Sequence, residues 1–245
     1  MPRAERPLVV IPTYQEAENI VSVLQRLRAA APAVSVLVVD DGSPDGTADL
    51  AEATAREVGG VRVLRRRAKD GLGSAYRAGF RAGIEAGHDV LVEMDADLSH
   101  DPADVPRLLD AVATGADLAI GSRYVPGGST PRWPWYRLLL SKGGNRYVNL
   151  ALGLGVRDAT AGFRAYRADL LEEIDYATTS ADGYAFQVEM AYRVRQTARP
   201  IIEIPISFSD RLVGTSKMSG RIVVEAMALV TWWALRDRVL RRGRS

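Results

Sequence analysis

Short apolar runs alternate with longer mixed segments over the first half of the chain. The runs are rich in Val, Ile and Leu and are bounded by Gly, Pro and Asp, which is typical of strands buried on both faces. This pattern predicts five strands: Leu8–Ile11, Val34–Val39, Val61–Leu64, Val90–Met94 and Leu118–Ile120. The segments between them have helical spacing and predict four helices: Asn19–Ala30, Thr47–Val58, Leu72–Ala86 and Pro102–Thr114.

The second half of the chain is less regular. It predicts helices from about Arg137 and over Tyr184–Gln196, a strand at Ile201–Ile206, and a strand through the pairs Phe163–Arg164 and Tyr166–Arg167. A long apolar helix is expected from Arg221 into an arginine-rich end. We therefore expect one domain over residues 1–220, followed by an apolar helix and a basic tail over 221–245.

Strands and helices in regular succession predict an α/β fold with a mostly parallel sheet. In such sheets a ligand binds beyond the carboxyl ends of the strands, so the residues that follow each strand are the candidates for function.

The amino-acid composition excludes disulfides and several kinds of metal site. The chain has 245 residues, no cysteine and two histidines, His88 and His100. This excludes disulfides, zinc–thiolate sites, iron–sulfur clusters and a multi-histidine metal centre. The beginning MPRAERPLVVIP has no apolar stretch of signal-peptide length, so a cytoplasmic protein is expected.

The net charge of +2 is unevenly distributed. Residues Arg236–Ser245 contain five arginines and one aspartate, which leaves a net charge of −2 for the rest. A nucleic-acid-binding body would carry its basic residues through the fold, so no nucleic-acid partner is expected.

Acidic residues follow three of the predicted strands, in the sequences PTYQEAEN, DDGSPDGT and MDADLSHDP. Glu16, Asp40, Asp41, Asp95 and Asp97 should therefore meet at one edge of the sheet. Clustered carboxylates need a neutralising cation, and paired hard oxygen ligands suit Mg²⁺ or Mn²⁺ carrying a diphosphate. The alternative for Asp97 and Ser99 is capping of the helix near Pro102. The neighbouring DDGS sequence favours the metal site.

The motifs PTYQEAEN, DDGSPDGT, DADLSHDP, IGSRY, TAGFRAYR and ISFSDRLVGTSK resemble those of glycosyltransferase family 2. Within that family the chain is similar to the polyprenol-phosphate (dolichol-phosphate) mannosyltransferases, from about Leu8 to Lys217. The resemblance implies the glycosyltransferase-A fold, a mostly parallel central sheet with helices on both faces, followed here by a C-terminal amphipathic helix.

The resemblance also implies a binding role for particular residues. The positions that would hold the nucleotide are Pro12, Tyr14, Glu16, Val39 and Asp41, with Tyr14 against the base and Val39 and Asp41 at the base and ribose. The positions that would hold the metal and diphosphate are Asp95, Ala96, Asp97 and Ser99. A serine hydroxyl is a weak ligand, so a bridging water at Ser99 is an equal alternative.

Five further positions match basic or acceptor-side residues of the family. Arg123, Arg211 and Lys217 would contact the nucleotide sugar, and Arg137 and Ser141 would lie near the acceptor phosphate. Asp95, Asp97, Arg123 and Arg211 are the expected catalytic residues. Arg211 and Lys217 lie in a glycine-flanked loop that could close over phosphates.

The implied reaction is transfer of mannose from GDP-mannose to a polyprenyl monophosphate in the membrane, with inversion to a β-mannosyl phosphate. No general base is evident, and a phosphate acceptor needs none because its oxygens are already ionised. The alternatives are glucose transfer from UDP-glucose to the same lipid, and a catalytically silent nucleotide-sugar-binding regulator. A transferase acting on a hydroxyl should show a base, and a dinucleotide oxidoreductase should show GxGxxG after the first strand.

The stretch Ile222–Leu235 is too short to span a bilayer. Trp232 and Trp233 beside the arginine cluster suit the headgroup zone of the inner face of the cell membrane, and a core helix with a solvated end is the alternative. We expect a peripheral protein, with a separate membrane-bound partner protein as a further possibility.

His100 is expected to be a surface or capping residue, and His88 a turn residue. The acidic residues of SADGYAFQVE, Asp182 and Glu189, could border the sugar, without a separate role for either.

Overall fold

The structure, a computed structural model, describes residues 6–209 and 227–236. Within them the chain forms one seven-stranded sheet in the order β3-β2-β1-β4-β6-β5-β7. The strands are β1 Pro7–Thr13, β2 Ser35–Asp40, β3 Val61–Arg65, β4 Val90–Glu93, β5 Leu118–Ser122, β6 Arg164–Arg167 and β7 Ile201–Pro205. The helices are α1 Ile20–Ala30, α2 Thr47–Val58, α3 Leu72–Glu85, α4 Val105–Ala113, α5 Trp135–Leu152, α6 Ala168–Glu173 and α7 Gly183–Thr197.

The predicted α/β architecture is confirmed, and so are all the predicted strands and helices within the described residues. The predicted helix at Pro102–Thr114 is divided: a 3₁₀ turn over Pro102–Asp104 precedes α4. Pro106 has no N–H to donate, so it cannot continue an α-helical ladder from that turn. The helix expected from about Arg137 begins two residues earlier, at Trp135, and α6 was not predicted.

Strand β6 is the exception to the parallel sheet, because it pairs antiparallel with both β4 and β5. The other strand pairs are parallel. Strands β2 and β3 follow β1 toward one edge of the sheet, whereas β4 lies on the other side of β1. An α/β sheet forms a ligand crevice at such a switch point.

The core lies in two layers, one on each face of the sheet. Leu8 and Val10 of β1 pack into one layer, and Val9 and Ile11 pack into the other. Successive side chains of a strand point to opposite faces, so an apolar run without alternation requires both faces to be covered. The helices on both faces provide that cover and fix the strand ends.

Residues 227–236 are helical. Trp233 is buried there and stacks on Tyr192 of α7, with ring centroids 5.7 Å apart. The expected helix start at Arg221, the domain boundary at residue 220 and the basic tail lie outside the described residues. Among the described helices, none is long and apolar enough to cross a membrane.

Helix α3 approaches the sheet closely at Gly79. A Cβ atom there would lie 2.3 Å from Cγ1 of Val10 and 3.2 Å from Cγ2 of Val39, whereas a Cβ at Gly143 of α5 would meet nothing within 4 Å. We predict that Gly79→Ala lowers the free energy of unfolding by about 1–3 kcal/mol through overpacking. Gly143→Ala should raise it by about 0.5–1 kcal/mol through helix propensity. Urea unfolding of both variants measures these changes. Equal changes in the free energy of unfolding would contradict the close packing at Gly79.

Candidate active site

A cavity of about 600 Å³ opens at the carboxyl ends of β1, β2, β4 and β5. Most of the residues predicted from the sequence line it, and these are Pro12, Tyr14, Glu16, Asp41, Asp95, Ala96, Asp97, Ser99, Arg123 and Arg137. They come from loops far apart in the chain, and the sheet brings them together. The structure thus places the predicted nucleotide, metal and diphosphate positions in one space.

Two of the residues to which the resemblance assigns a role, Val39 and Ser141, are not among the described residues that line this cavity. Val39 is fully buried in β2, and its side chain packs in the core toward α3, so a contact with the base would fall to its backbone and stays a prediction. Ser141 lies on α5, where its hydroxyl accepts a hydrogen bond from the Tyr124 hydroxyl at 2.6 Å. Arg211 and Lys217 lie outside the described residues, so their roles stay predictions.

The first two acidic loops are joined through Asp40. Its carboxylate accepts hydrogen bonds from the Ser43 N–H at 2.9 Å, the Ser43 hydroxyl at 2.6 Å and the Thr13 hydroxyl at 3.0 Å. These bonds tie the end of β1 to the turn after β2. Asp40 therefore has a structural role, and Asp41 is the carboxylate of the pair that faces the cavity.

A second set of bonds joins the same loops through Asp45 and Thr47. Asp45 accepts from the Ala17 N–H at 3.1 Å and from the Thr47 hydroxyl at 2.6 Å, and that hydroxyl in turn accepts from the Glu16 N–H at 3.0 Å. The carboxylates and hydroxyls of DDGSPDGT thus satisfy loop N–H groups that have no ladder partner. This fixes Glu16 and Tyr14 at the cavity wall.

Cations balance the negative charge at this end of the cavity. Arg66 pairs with Asp41 at 2.7 Å, and Lys69 lies over the Tyr14 ring with its Nζ 4.4 Å from the centroid. Burial raises the pKa of Asp41, although the Arg66 guanidinium opposes the shift. An aromatic ring beside Lys69 and Asp41 suits a nucleoside with an adjoining phosphate.

The Asp-Ala-Asp turn after β4 has a defined internal geometry. Asp97 accepts a hydrogen bond from the Ser99 N–H at 3.0 Å, and the Tyr76 hydroxyl donates to Asp95 at 3.4 Å. Leu98 adopts a φ of 60°, which is uncommon for a residue with a branched side chain. The turn is therefore strained locally and held by its neighbours, as is frequent at functional sites.

His100 is buried behind this turn, which corrects its expected surface or capping position. Its ring stacks on Phe163 with centroids 5.0 Å apart, and its Nδ1 accepts a hydrogen bond from the Asp95 N–H at 3.3 Å. Burial lowers the pKa of His100 to about 4, so the ring is neutral near pH 7. His100 therefore positions the Asp95 backbone from within the cavity wall.

Arg123 reaches the cavity from the end of β5, where Asp158 clamps it. Two guanidinium N–H groups donate to the Asp158 carboxylate at 2.7 Å and 2.6 Å, and the Arg123 backbone N–H donates to it at 3.0 Å. Burial works against the charged form, but the ion pair outweighs it and the pKa of Arg123 is raised. Asp158 is fully buried, and no sequence motif indicated its role.

The structure separates the two acidic residues of SADGYAFQVE. Asp182 lines the cavity and accepts a hydrogen bond from the Gly73 N–H at 2.7 Å, at the start of α3. Glu189 accepts from the N–H groups of Ser180 and Ala181 and pairs with Arg193 at 2.7 Å. Glu189 therefore organises a loop, and only Asp182 borders the cavity.

The donor set of the Asp-Ala-Asp turn fits a hard divalent cation. Among the described residues, no group of three or more Asp, Glu, His or Cys side chains is arranged around one point. Mg²⁺ and its analogues are often held by only one or two carboxylates, with substrate phosphates and waters as the other ligands. Asp95 and Asp97, with the Ser99 hydroxyl beside them, match that kind of site.

A mostly parallel α/β sheet with a cavity and paired aspartates at its switch point is characteristic of glycosyltransferases of the glycosyltransferase-A type. Residues 8–175 match the sequence model described as Glycosyl transferase family 2. The chain belongs to this family.

Similar proteins extend over nearly the whole chain. An undecaprenyl-phosphate mannosyltransferase from Micrococcus luteus is 54% identical over 233 residues, which is 95% of this chain and 96% of that protein. A polyprenol monophosphomannose synthase from Mycolicibacterium smegmatis is 51% identical over 236 residues, covering 96% of this chain and 89% of that protein.

A solved structure supports the fold. Glucosyl-3-phosphoglycerate synthase from Mycobacterium tuberculosis, in complex with Mn²⁺, UDP and phosphoglyceric acid, has a TM-score of 0.67. It is 21% identical, and the match covers 96% of this chain and 78% of the other. At this identity the likeness concerns the fold alone.

The Arg123–Asp158 pair gives a testable prediction. Asp158→Asn leaves a buried guanidinium without its counter-charge, and should lower the free energy of unfolding by about 3–5 kcal/mol. The control is Asp169→Asn, since Asp169 is half exposed and pairs with surface arginines. That variant should change stability by about 1 kcal/mol or less. Similar losses in the two variants, measured by chemical unfolding, would contradict the clamp.

Proposed function

We propose that the protein transfers mannose from GDP-mannose to the phosphate of a polyprenyl monophosphate, with inversion at the anomeric carbon and with Mg²⁺ or Mn²⁺. The observation that carries the proposal is that the Asp-Ala-Asp turn opens into a cavity whose mouth adjoins an exposed apolar helix face. The first feature suits a nucleotide sugar, and the second suits a lipid. The names of two relatives that are about half identical support mannose transfer to a polyprenyl phosphate.

The donor would lie across the strand ends. Its nucleoside would occupy the side of Tyr14, Glu16 and Asp41, and its diphosphate would lie at the Asp-Ala-Asp turn. Asp95 and Asp97 would hold the divalent cation. When bound, the cation neutralises the charge that grows on the leaving diphosphate.

Helix α5 would face the lipid. Its first two turns expose a group of large apolar side chains, namely Trp135, Tyr136, Leu139 and Leu140. Arg137 lies within this stretch and lines the cavity, with its guanidinium 4.1 Å from the Trp133 ring centroid. Exposed aromatic and aliphatic side chains beside cations are typical of helices that lie in a membrane surface.

The protein's own residues would act by position and charge. A phosphate acceptor is already ionised near pH 7, so no side chain has to remove a proton. Arg137 would attract that phosphate, and Arg123, fixed by Asp158, would add positive potential beside the reacting centre. Ser141 would also lie near the acceptor phosphate. Arg211 and Lys217 would contact the nucleotide sugar from a loop that closes over the phosphates.

We further propose a peripheral location on the inner face of the membrane. The C-terminal segment 221–245 remains a second candidate contact, and Trp232 in its described part is exposed. A separate membrane-bound partner protein would be a further means of attachment.

The metal assignment can be tested through transfer itself. With labelled GDP-mannose and polyprenyl phosphate, chelation should abolish label in the lipid phase and added Mn²⁺ should restore it. Asp97→Ala should reduce transfer by about a hundredfold or more. The control Asp110→Ala changes an exposed carboxylate on α4 and should retain activity. Full transfer by Asp97→Ala in the presence of chelator would exclude the metal role.

The lipid-facing role of α5 can be tested by charge. Leu140→Glu should weaken binding to vesicles of anionic phospholipid by about tenfold, because a buried leucine contributes about 1.5–3 kcal/mol. Leu50→Glu on α2 is the matched control, since Leu50 is also exposed but lies on another helix. Cosedimentation measures both. Equal vesicle binding by the two variants would show that α5 is not the membrane contact. The variant Trp232→Glu would then test the C-terminal segment.

A further inference from the structure

One polar side chain in the cavity wall makes no hydrogen bond of ordinary geometry. Gln187 of α7 is 2% exposed and lines the cavity, yet neither atom of its amide forms a hydrogen bond with the described residues. A buried amide without partners destabilises a fold, so such a group usually serves a ligand or a water. The backbone around it is well anchored, because Arg164 donates to the Gln187 carbonyl at 2.8 Å.

A glycine opposite this amide leaves space that the fold does not require. A Cβ atom at Gly162 would lie 3.8 Å from Nε2 of Gln187, 3.9 Å from Oδ2 of Asp95 and 3.9 Å from Cε1 of His100. These are ordinary contact distances, and Gly162 is not among the glycines with positive φ. Neither packing nor backbone conformation therefore demands glycine here. The gap is a niche walled by Gln187, Asp95 and His100.

The position of the niche indicates which part of a ligand would fill it. Gly162 precedes β6, which neighbours β4 on the side away from β1 and β2. The niche therefore lies beyond the Asp-Ala-Asp turn as seen from Tyr14 and Asp41. In a donor whose nucleoside lies over β1 and β2, the group beyond the diphosphate is the sugar. Sugar hydroxyls donate and accept hydrogen bonds, as the two ends of an amide do.

We propose that Gln187 and Gly162 form the hexosyl subsite, in which the Gln187 amide hydrogen-bonds hydroxyls of the transferred sugar and the methyl-sized space at Gly162 admits an edge of that sugar. This rests on the proposed function. The competing role is structural: Glu93 is fully buried, and the Gln187 amide lies near enough to its carboxyl to oppose the rise in pKa that burial causes, although the pair falls outside ordinary hydrogen-bond geometry.

Calorimetric titration of the full chain with GDP and with GDP-mannose, each with Mn²⁺, separates these roles. Gln187→Leu and Gly162→Ala should each weaken GDP-mannose binding by about tenfold and change GDP binding by less than about twofold. The melting temperature should not fall, because the leucine removes two buried polar atoms and the alanine fits the niche. Gln196→Leu, at an exposed position of the same helix, is the control and should bind both ligands as the wild type does.

Three results would overturn the inference. Equal weakening of GDP and GDP-mannose, or weakening of neither, would remove the sugar contact. A lower melting temperature of Gln187→Leu with unchanged binding would assign the amide to Glu93 and the fold. A wild-type chain that binds neither GDP nor GDP-mannose would overturn the proposed function itself, and the hexosyl subsite with it.

Discussion

The cavity depends on holding several carboxylates close together where water is partly excluded. Burial penalises each charge, and the chain offsets that penalty differently at each position. Asp40 accepts loop N–H and hydroxyl groups, and Asp41 pairs with Arg66. Asp158 neutralises Arg123. The Asp-Ala-Asp turn is held in part by hydrogen bonds from the Ser99 N–H to Asp97 and from the Tyr76 hydroxyl to Asp95.

Most of the fold could be predicted because its signals are local. An uninterrupted apolar run such as Val34–Val39 indicates a strand covered on both faces, and helical spacing defines the segments between such runs. The orientation of β6 could not be predicted in this way. It depends on pairing with β4 and β5, which precede it by long stretches of chain, and nothing in Arg164–Arg167 itself distinguishes parallel from antiparallel pairing.

The site was predictable where its residues follow strands directly. Asp41, Asp95 and Asp97 face the cavity because parallel strands end at one edge. Residues whose role depends on distant partners gave no signal: His100 packs on Phe163, Asp158 pairs with Arg123, and Gln187 faces the niche. The sequence placed Val39 at the end of a strand but did not show that its side chain faces the core toward α3.

The central claim is that this edge of the sheet holds a divalent cation and a sugar nucleotide in one arrangement. The most direct measurement is a crystal structure of the chain with GDP-mannose and Mn²⁺, using the anomalous signal of manganese. The account predicts one strong peak between the Asp95–Asp97 turn and the diphosphate, with the base near Tyr14 and the sugar directed toward Gly162. A diphosphate bound without manganese at this turn, or a sugar directed away from Gly162, would contradict it.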